Sequence, residues 1–127
     1  MKKFKVSIDL YSKSVWYFVN CSYKEMQKAI RKMGFELEDD SETYEFCQGI
    51  CDTIDATKKK QRTLIYVWIR KFKKNDPVSF DTLMHENFHA TVKLMAHTGH
   101  ELSNDSEESY AYVMGLLATK TYEKLRR

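Results

Sequence analysis

The stretch Asp81-Thr82-Leu83-Met84-His85-Glu86-Asn87-Phe88-His89 decides how the rest of the chain is read. His85, Glu86 and His89 stand in an H-E-x-x-H spacing. Residues four apart lie one above the other on a helix, so the two imidazoles can converge on one ion. Glu86 falls beside that face, badly placed as a third ligand but well placed to hold a water and take its proton. This chemistry requires a helix. Phe80, Met84, Phe88, Val92 and Met95 recur at the three-to-four spacing of a buried stripe. Asp76-Pro77 supplies an N-cap followed by proline at the first helical position, and Gly99 supplies a stop. The spacing therefore predicts a helix over residues 77–97.

A catalytic zinc takes three protein ligands and keeps a fourth position open. Val92 and Met95 stand where the longer H-E-x-x-H-x-x-G-x-x-H pattern needs glycine and histidine, which excludes that arrangement. His97 and His100 are possible ligands, with exposed turn histidines as the plainer reading. Glu107 and Glu108 open a second predicted helix that runs through Tyr110 to Arg126. Ala111 and Gly115 follow Glu108 at three and seven residues. Such a small-residue stripe predicts a close helix approach that presents the Glu108 carboxylate. The competing role for Glu108 is a capping box with Asp105.

His85-Glu86-x-x-His89 followed by Glu108-Ser109-Tyr110-Ala111 resembles the gluzincin metallopeptidases, and more closely the very small minigluzincins of phage genomes. The resemblance is specific over residues 81–115 and only architectural before that. It implies a zincin-like peptidase domain spanning 1–127 that hydrolyses peptide or protein substrates. Zinc would be held by His85, His89 and Glu108, with Glu86 as general base and acid and Ala111 as the small residue after the third ligand. The nineteen residues from His89 to Glu108 lie within the family's range. Tyr112 departs from it, since many larger gluzincins carry an aspartate there that orients the first histidine. Either another group hydrogen-bonds His85, or the site binds metal more weakly. Tyr110, Tyr112, His97 and His100 are the candidate donors to a developing oxyanion.

The remaining sequence frames these residues. At 127 residues with 43% hydrophobic composition, the chain has the size and make-up of one folded domain with one core. Met1-Lys2-Lys3 leads into the alternating Phe4-Lys5-Val6-Ser7-Ile8-Asp9 rather than an apolar leader, and no run reaches membrane-spanning length. The expected location is the cytoplasm, that of the host if the protein is phage-encoded. Three cysteines, with Cys47 and Cys51 in C-x-x-x-C spacing, fit reduced thiols better than a disulfide framework or a thiolate zinc site. A net charge of +3 is too small to imply nucleic-acid binding. The clusters Lys58-Lys59-Lys60-Gln61-Arg62 and Arg70-Lys71-Phe72-Lys73-Lys74 read as solvated turn and strand ends.

Phe4 to Asp9 and Val15 to Val19 read as a hairpin closed by Tyr11-Ser12-Lys13-Ser14. Ser22 and Glu25 form a capping box for a helix carrying Met26, Ala29, Ile30 and Met33, which stops at Gly34. Residues 36–42 read as an acidic loop. Tyr44 to Ile54 and Thr63 to Lys71 read as a second hairpin. The predicted order β-β-α-β-β-α-α is an α+β fold with a small, mostly antiparallel sheet. By the gluzincin resemblance, the Tyr44 to Ile54 strand is the edge that pairs with extended substrate. Two rivals stand beside the peptidase: a metal-stabilised, non-catalytic protein that binds a host factor, and a protease guided to nucleic acid by its basic clusters.

Overall fold

A computed structural model describes residues 1–44, 46–58 and 61–127. Alternation of apolar and polar residues builds the first hairpin, β1 (Lys2–Ile8) and β2 (Lys13–Val19). The four-residue connection, residues 9–12, lies two residues earlier than the expected turn at Tyr11 to Ser14. A single 3-10 turn over Asp9–Tyr11 is closed by Ser12 in the left-handed region, φ 51°. The capping box forms as the sequence predicts: Ser22 Oγ accepts from the Glu25 amide and Glu25 Oε1 accepts from the Ser22 amide. It starts α1 (Tyr23–Lys32).

The second hairpin joins β3 (Gly49–Ile54) to β4 (Leu64–Ile69). The strand expected from Tyr44 begins only at Gly49, because residues 41–44 turn instead. Arg70 holds that turn, donating to the carbonyls of Cys47 and Tyr44. Glu45 of the expected strand, and Lys59 and Lys60 of the expected basic turn, lie outside the described residues.

The sheet order is β1-β2-β4-β3, so β4 lies centrally and β3 is an edge strand. The two hairpins meet through a parallel β2–β4 pairing, which makes the sheet mixed. Two hairpins read from sequence do not reveal that junction. The uninterrupted apolar run of β4 does point to it, since such a strand needs cover on both faces. All six of its residues are buried. Ile65, Val67 and Ile69 face one core with Val15, Tyr17 and Val19, while Leu64, Tyr66 and Trp68 face the other with Phe18. Met26 and Ile30 of α1 cover the second face.

The first face is covered by α2 (Pro77–His97) and α3 (Glu107–Leu125). Helix α2 has the predicted bounds but a different buried face. Leu83, Asn87, Ala90, Thr91 and Leu94 point inward; of the expected stripe, Met95 is buried and Met84 and Val92 pack against the core, whereas Phe80 and Phe88 are each 49% exposed. Buried polar partners account for the rotation, as described below. Helix α3 also departs from expectation. Its inward face is Tyr110, Val113, Leu117, Thr121 and Leu125, while Ala111 and Gly115 are exposed. A methyl group added at Gly115 would meet nothing. The larger apolar stripe decides how α3 packs, and it turns the small-residue stripe outward. No helix among the described residues is long and apolar enough to cross a membrane.

Candidate metal centre

Helix α2 is anchored first at its N-terminus. Asp76 accepts from the Val78 amide at 3.2 Å and from Ser79 Oγ at 2.9 Å, satisfying first-turn donors. The Ser79 hydroxyl and the Val78 amide hold the Asp76 carboxyl below its ordinary range. Asn87 then fixes the rotation of the helix. It is fully buried, accepts from Tyr17 Oη of β2 at 2.7 Å and donates to Thr121 Oγ1 of α3 at 3.2 Å. Thr121 passes its own proton to the Leu117 carbonyl, and Thr91 Oγ1 donates to the Asn87 carbonyl. A buried amide without these partners would cost about 1–3 kcal/mol, so the network selects one orientation of α2 between sheet and α3.

That orientation sends His85 and His89 to the exposed side and Glu86 toward β3. The imidazoles meet edge to face, ring centroids 4.8 Å apart, with His85 Nε2 and His89 Nε2 separated by 3.2 Å. Two nitrogens at that separation, each about 2.0–2.1 Å from one ion, subtend an angle of about 100° at it, close to tetrahedral. With one Glu86 oxygen, the three ligand atoms all lie within 4.8 Å of one another, a group that could hold a metal ion. Burial, then the charges of His85 and Lys93, hold the His89 pKa down and favour the neutral imidazole that binds metal.

Glu86 is 5% exposed and packs against the first residue of β3. A Cβ on Gly49 would stand 3.2 Å from Glu86 Cγ, Glu86 Oε2 and Thr82 Cγ2, so any larger residue there would have to push those two side chains aside by a few tenths of an ångström. Burial raises the Glu86 pKa, partly offset by His85. The residue makes no hydrogen bond among the described residues, yet its oxygens still reach solvent, since no buried polar side-chain atom lacks a partner. Such a carboxylate is free to take up water. On the same face of β3, burial pushes the Cys51 thiol up to about 12, which leaves it protonated and outside the ligand group.

The other candidates sit elsewhere. Glu108 is exposed in the first turn of α3 and is not part of the three-residue group. The competing role, a capping box with Asp105, does not form either, because Ser106 is the N-cap and no side chain caps the helix. Tyr110 is buried and spends its hydroxyl proton on the His100 carbonyl at 2.7 Å. His100 Nδ1 lies 2.8 Å from Thr98 Oγ1. His97 ends α2 in an exposed position, and Tyr112 is exposed on α3. Among the described residues His85 has no hydrogen-bond partner other than His89, so none of them orients its ring as an aspartate would.

Sequence reasoning passed over Gly49 and Asn87. The only signal for Asn87 was a polar residue inside a helical motif, and for Gly49 a glycine opening a strand. No protein-family model, curated protein or solved structure matches the chain.

Proposed function

We propose that the protein is a zinc-dependent peptidase of the gluzincin type on a zincin-like fold. One observation carries the reading: two imidazole nitrogens 3.2 Å apart, with a largely buried carboxylate in the same group that has no hydrogen-bond partner among the described residues. His85 and His89 would hold the ion, and Glu108 is the third ligand that the sequence resemblance supplies. Zinc bound there would polarise a scissile carbonyl and lower the pKa of water to about 7.

The chain's own residues carry the rest. Glu86, held between α2 and Gly49, takes the proton from water at its carboxylate and returns it to the leaving amine. Burial suits it to both halves of that transfer, because a carboxyl with a raised pKa is a better base when ionised and holds the proton longer once it has it. Helix α2 packs directly along the edge strand β3. The free edge of β3 would pair with an extended peptide through main-chain hydrogen bonds and lay its scissile bond across the two histidines. The test is metal analysis of protein purified without added zinc, together with a quenched peptide library assayed with wild type and Glu86→Gln. Bound zinc without any hydrolysis would favour the non-catalytic, metal-stabilised binding protein.

A further inference from the structure

A roomy cavity lies away from the metal centre. It lies where the start of α2 meets the end of α3, has a volume of about 600 Å³, and none of His85, Glu86 or His89 lines it. That is within the usual range for ligand pockets. Its floor is apolar, with Phe72, Leu83 and Leu125 beneath the half-exposed rings of Phe80 and Tyr122. Its rim is cationic, with Lys73, Lys74 and Arg126. An adjoining cavity of about 350 Å³ shares Phe72, Lys73, Lys74 and Leu125 and adds Lys2 and Arg127. The two form one groove.

Asp76, in the first cavity, is the sole acidic side chain among the residues lining either one, and its carboxylate already caps α2. The one ion pair among the described residues, Lys120 with Glu123, involves none of the rim cations. Arg126 stands over the Tyr122 ring at 5.9 Å. Lys2 donates to the carbonyls of Lys124 and Arg127, and Lys73 acts on Asp76, which leaves Lys74 and Arg126 as the rim cations without a carboxylate partner among the described residues. An apolar floor with such cations on its rim is a surface that solvates poorly alone and is completed by a partner of opposite charge.

We propose that this groove binds an acidic peptide segment that carries a bulky apolar side chain. The apolar side chain fills the floor between Phe80 and Tyr122, and flanking carboxylates meet Lys74 and Arg126. A phosphodiester strand would meet the same cations, but its dense charge would also meet the Asp76 carboxylate in the wall. A peptide can turn an N–H toward that oxygen instead. The proposal does not depend on the metal centre being catalytic.

The experiment is fluorescence anisotropy of the full chain with three labelled probes: a short peptide alternating glutamate with leucine and phenylalanine, its lysine-for-glutamate counterpart, and a short oligothymidylate. The acidic peptide is expected to bind saturably and to weaken as salt rises, while the lysine peptide does not bind. Lys74→Glu with Arg126→Glu should weaken binding about tenfold or more, and Phe80→Ser should do the same with no change of charge. The matched reversal Lys3→Glu with Lys5→Glu, on β1 away from the groove, should have little effect. Phe80 is half exposed, so its variant keeps the test intact should the double reversal fail to fold. Absence of binding, equal loss in the β1 control, or preferential binding of the oligothymidylate abolished by the groove variants would each overturn the proposal.

Discussion

Tyr17 of β2 donates its hydroxyl proton to Asn87 Oδ1 of α2 across 2.7 Å of buried interior, and the same amide donates to Thr121 of α3. Sheet, motif helix and second helix are thereby tied at Asn87, one residue after Glu86 and two before His89. Asn87→Ala should destabilise the protein by about 1–3 kcal/mol, because two hydroxyls lose their partner in a dry core. Tyr17→Phe, which removes one hydroxyl, should cost about 1 kcal/mol. Urea unfolding of the two variants measures this. Equal stability of Asn87→Ala and wild type would mean that packing alone sets the rotation of α2.

Gly49→Ala is expected to retain the fold but disturb Glu86. The new methyl would crowd Glu86 and Thr82 at 3.2 Å, and overpacking of this kind costs about 1–3 kcal/mol. Zinc content should stay close to wild type, since the histidines are untouched, while turnover falls. Thermal melting, metal analysis and peptide hydrolysis on one preparation separate these effects. A variant with normal turnover would show that Glu86 tolerates the crowding.

The strand alternation, the capping box and the bounds of α2 were legible in the sequence because they rest on local chemistry: side-chain period, a hydroxyl with a glutamate three residues on, and Asp-Pro before an apolar run. What was not legible rests on distant partners. The inward face of α2 includes Asn87 and Thr91, and they are inward only because Tyr17, Thr121 and Met114 wait for them. A hydrophobic pattern assigns such residues to water and turns Phe80 and Phe88 inward instead. The parallel β2–β4 pairing failed for a related reason, since pairing between hairpins leaves no mark in the turn of either one. Within the candidate site, His85, Glu86 and His89 share one helical turn, and their proximity follows from spacing. Glu108 depends on the path of residues 98–106 and on which face of α3 packs inward, neither of which local sequence dictates.

His85→Ala and His89→Ala should each lower zinc affinity, and Glu108→Ala should do so far more than Glu107→Ala. The first pair follows from the 3.2 Å separation of the nitrogens, and the second from the resemblance that assigns Glu108. Chelation of bound zinc should lower the melting temperature, since an ion held at a hundred times its dissociation constant contributes about 2.7 kcal/mol. Zinc titrations of the four variants decide the register. Loss of metal in Glu107→Ala but not in Glu108→Ala would shift the third ligand by one residue.

Asp76 gives a pH dependence that is independent of metal. Its hydrogen bonds to Ser79 and Val78 hold its folded pKa below the unfolded value. The cap therefore contributes stability above the unfolded pKa of about 3.9, and that contribution disappears as pH falls through the lower folded value. Asp76→Asn lacks this titration. The stability gap between wild type and variant should be constant near neutrality and narrow in acid, as read by denaturant midpoints at several pH values. A gap that widened on acidification would contradict the assignment.

Glu86→Gln should keep the fold and the zinc and lose the hydrolysis. The amide preserves the shape that fits against Gly49 and Thr82, and it leaves the His85 and His89 nitrogens where they are. It cannot accept and return a proton, a step for which general base and acid catalysis supplies about 10²- to 10⁴-fold in rate. Removing the buried carboxyl should cost little stability, since burial disfavours its charged form and no protein donor compensates. The measurement is turnover of a quenched peptide library at matched zinc content, with thermal melts alongside. Equal turnover in both proteins would remove Glu86 from the reaction. A variant that lost zinc as well would make Glu86 a ligand rather than the base.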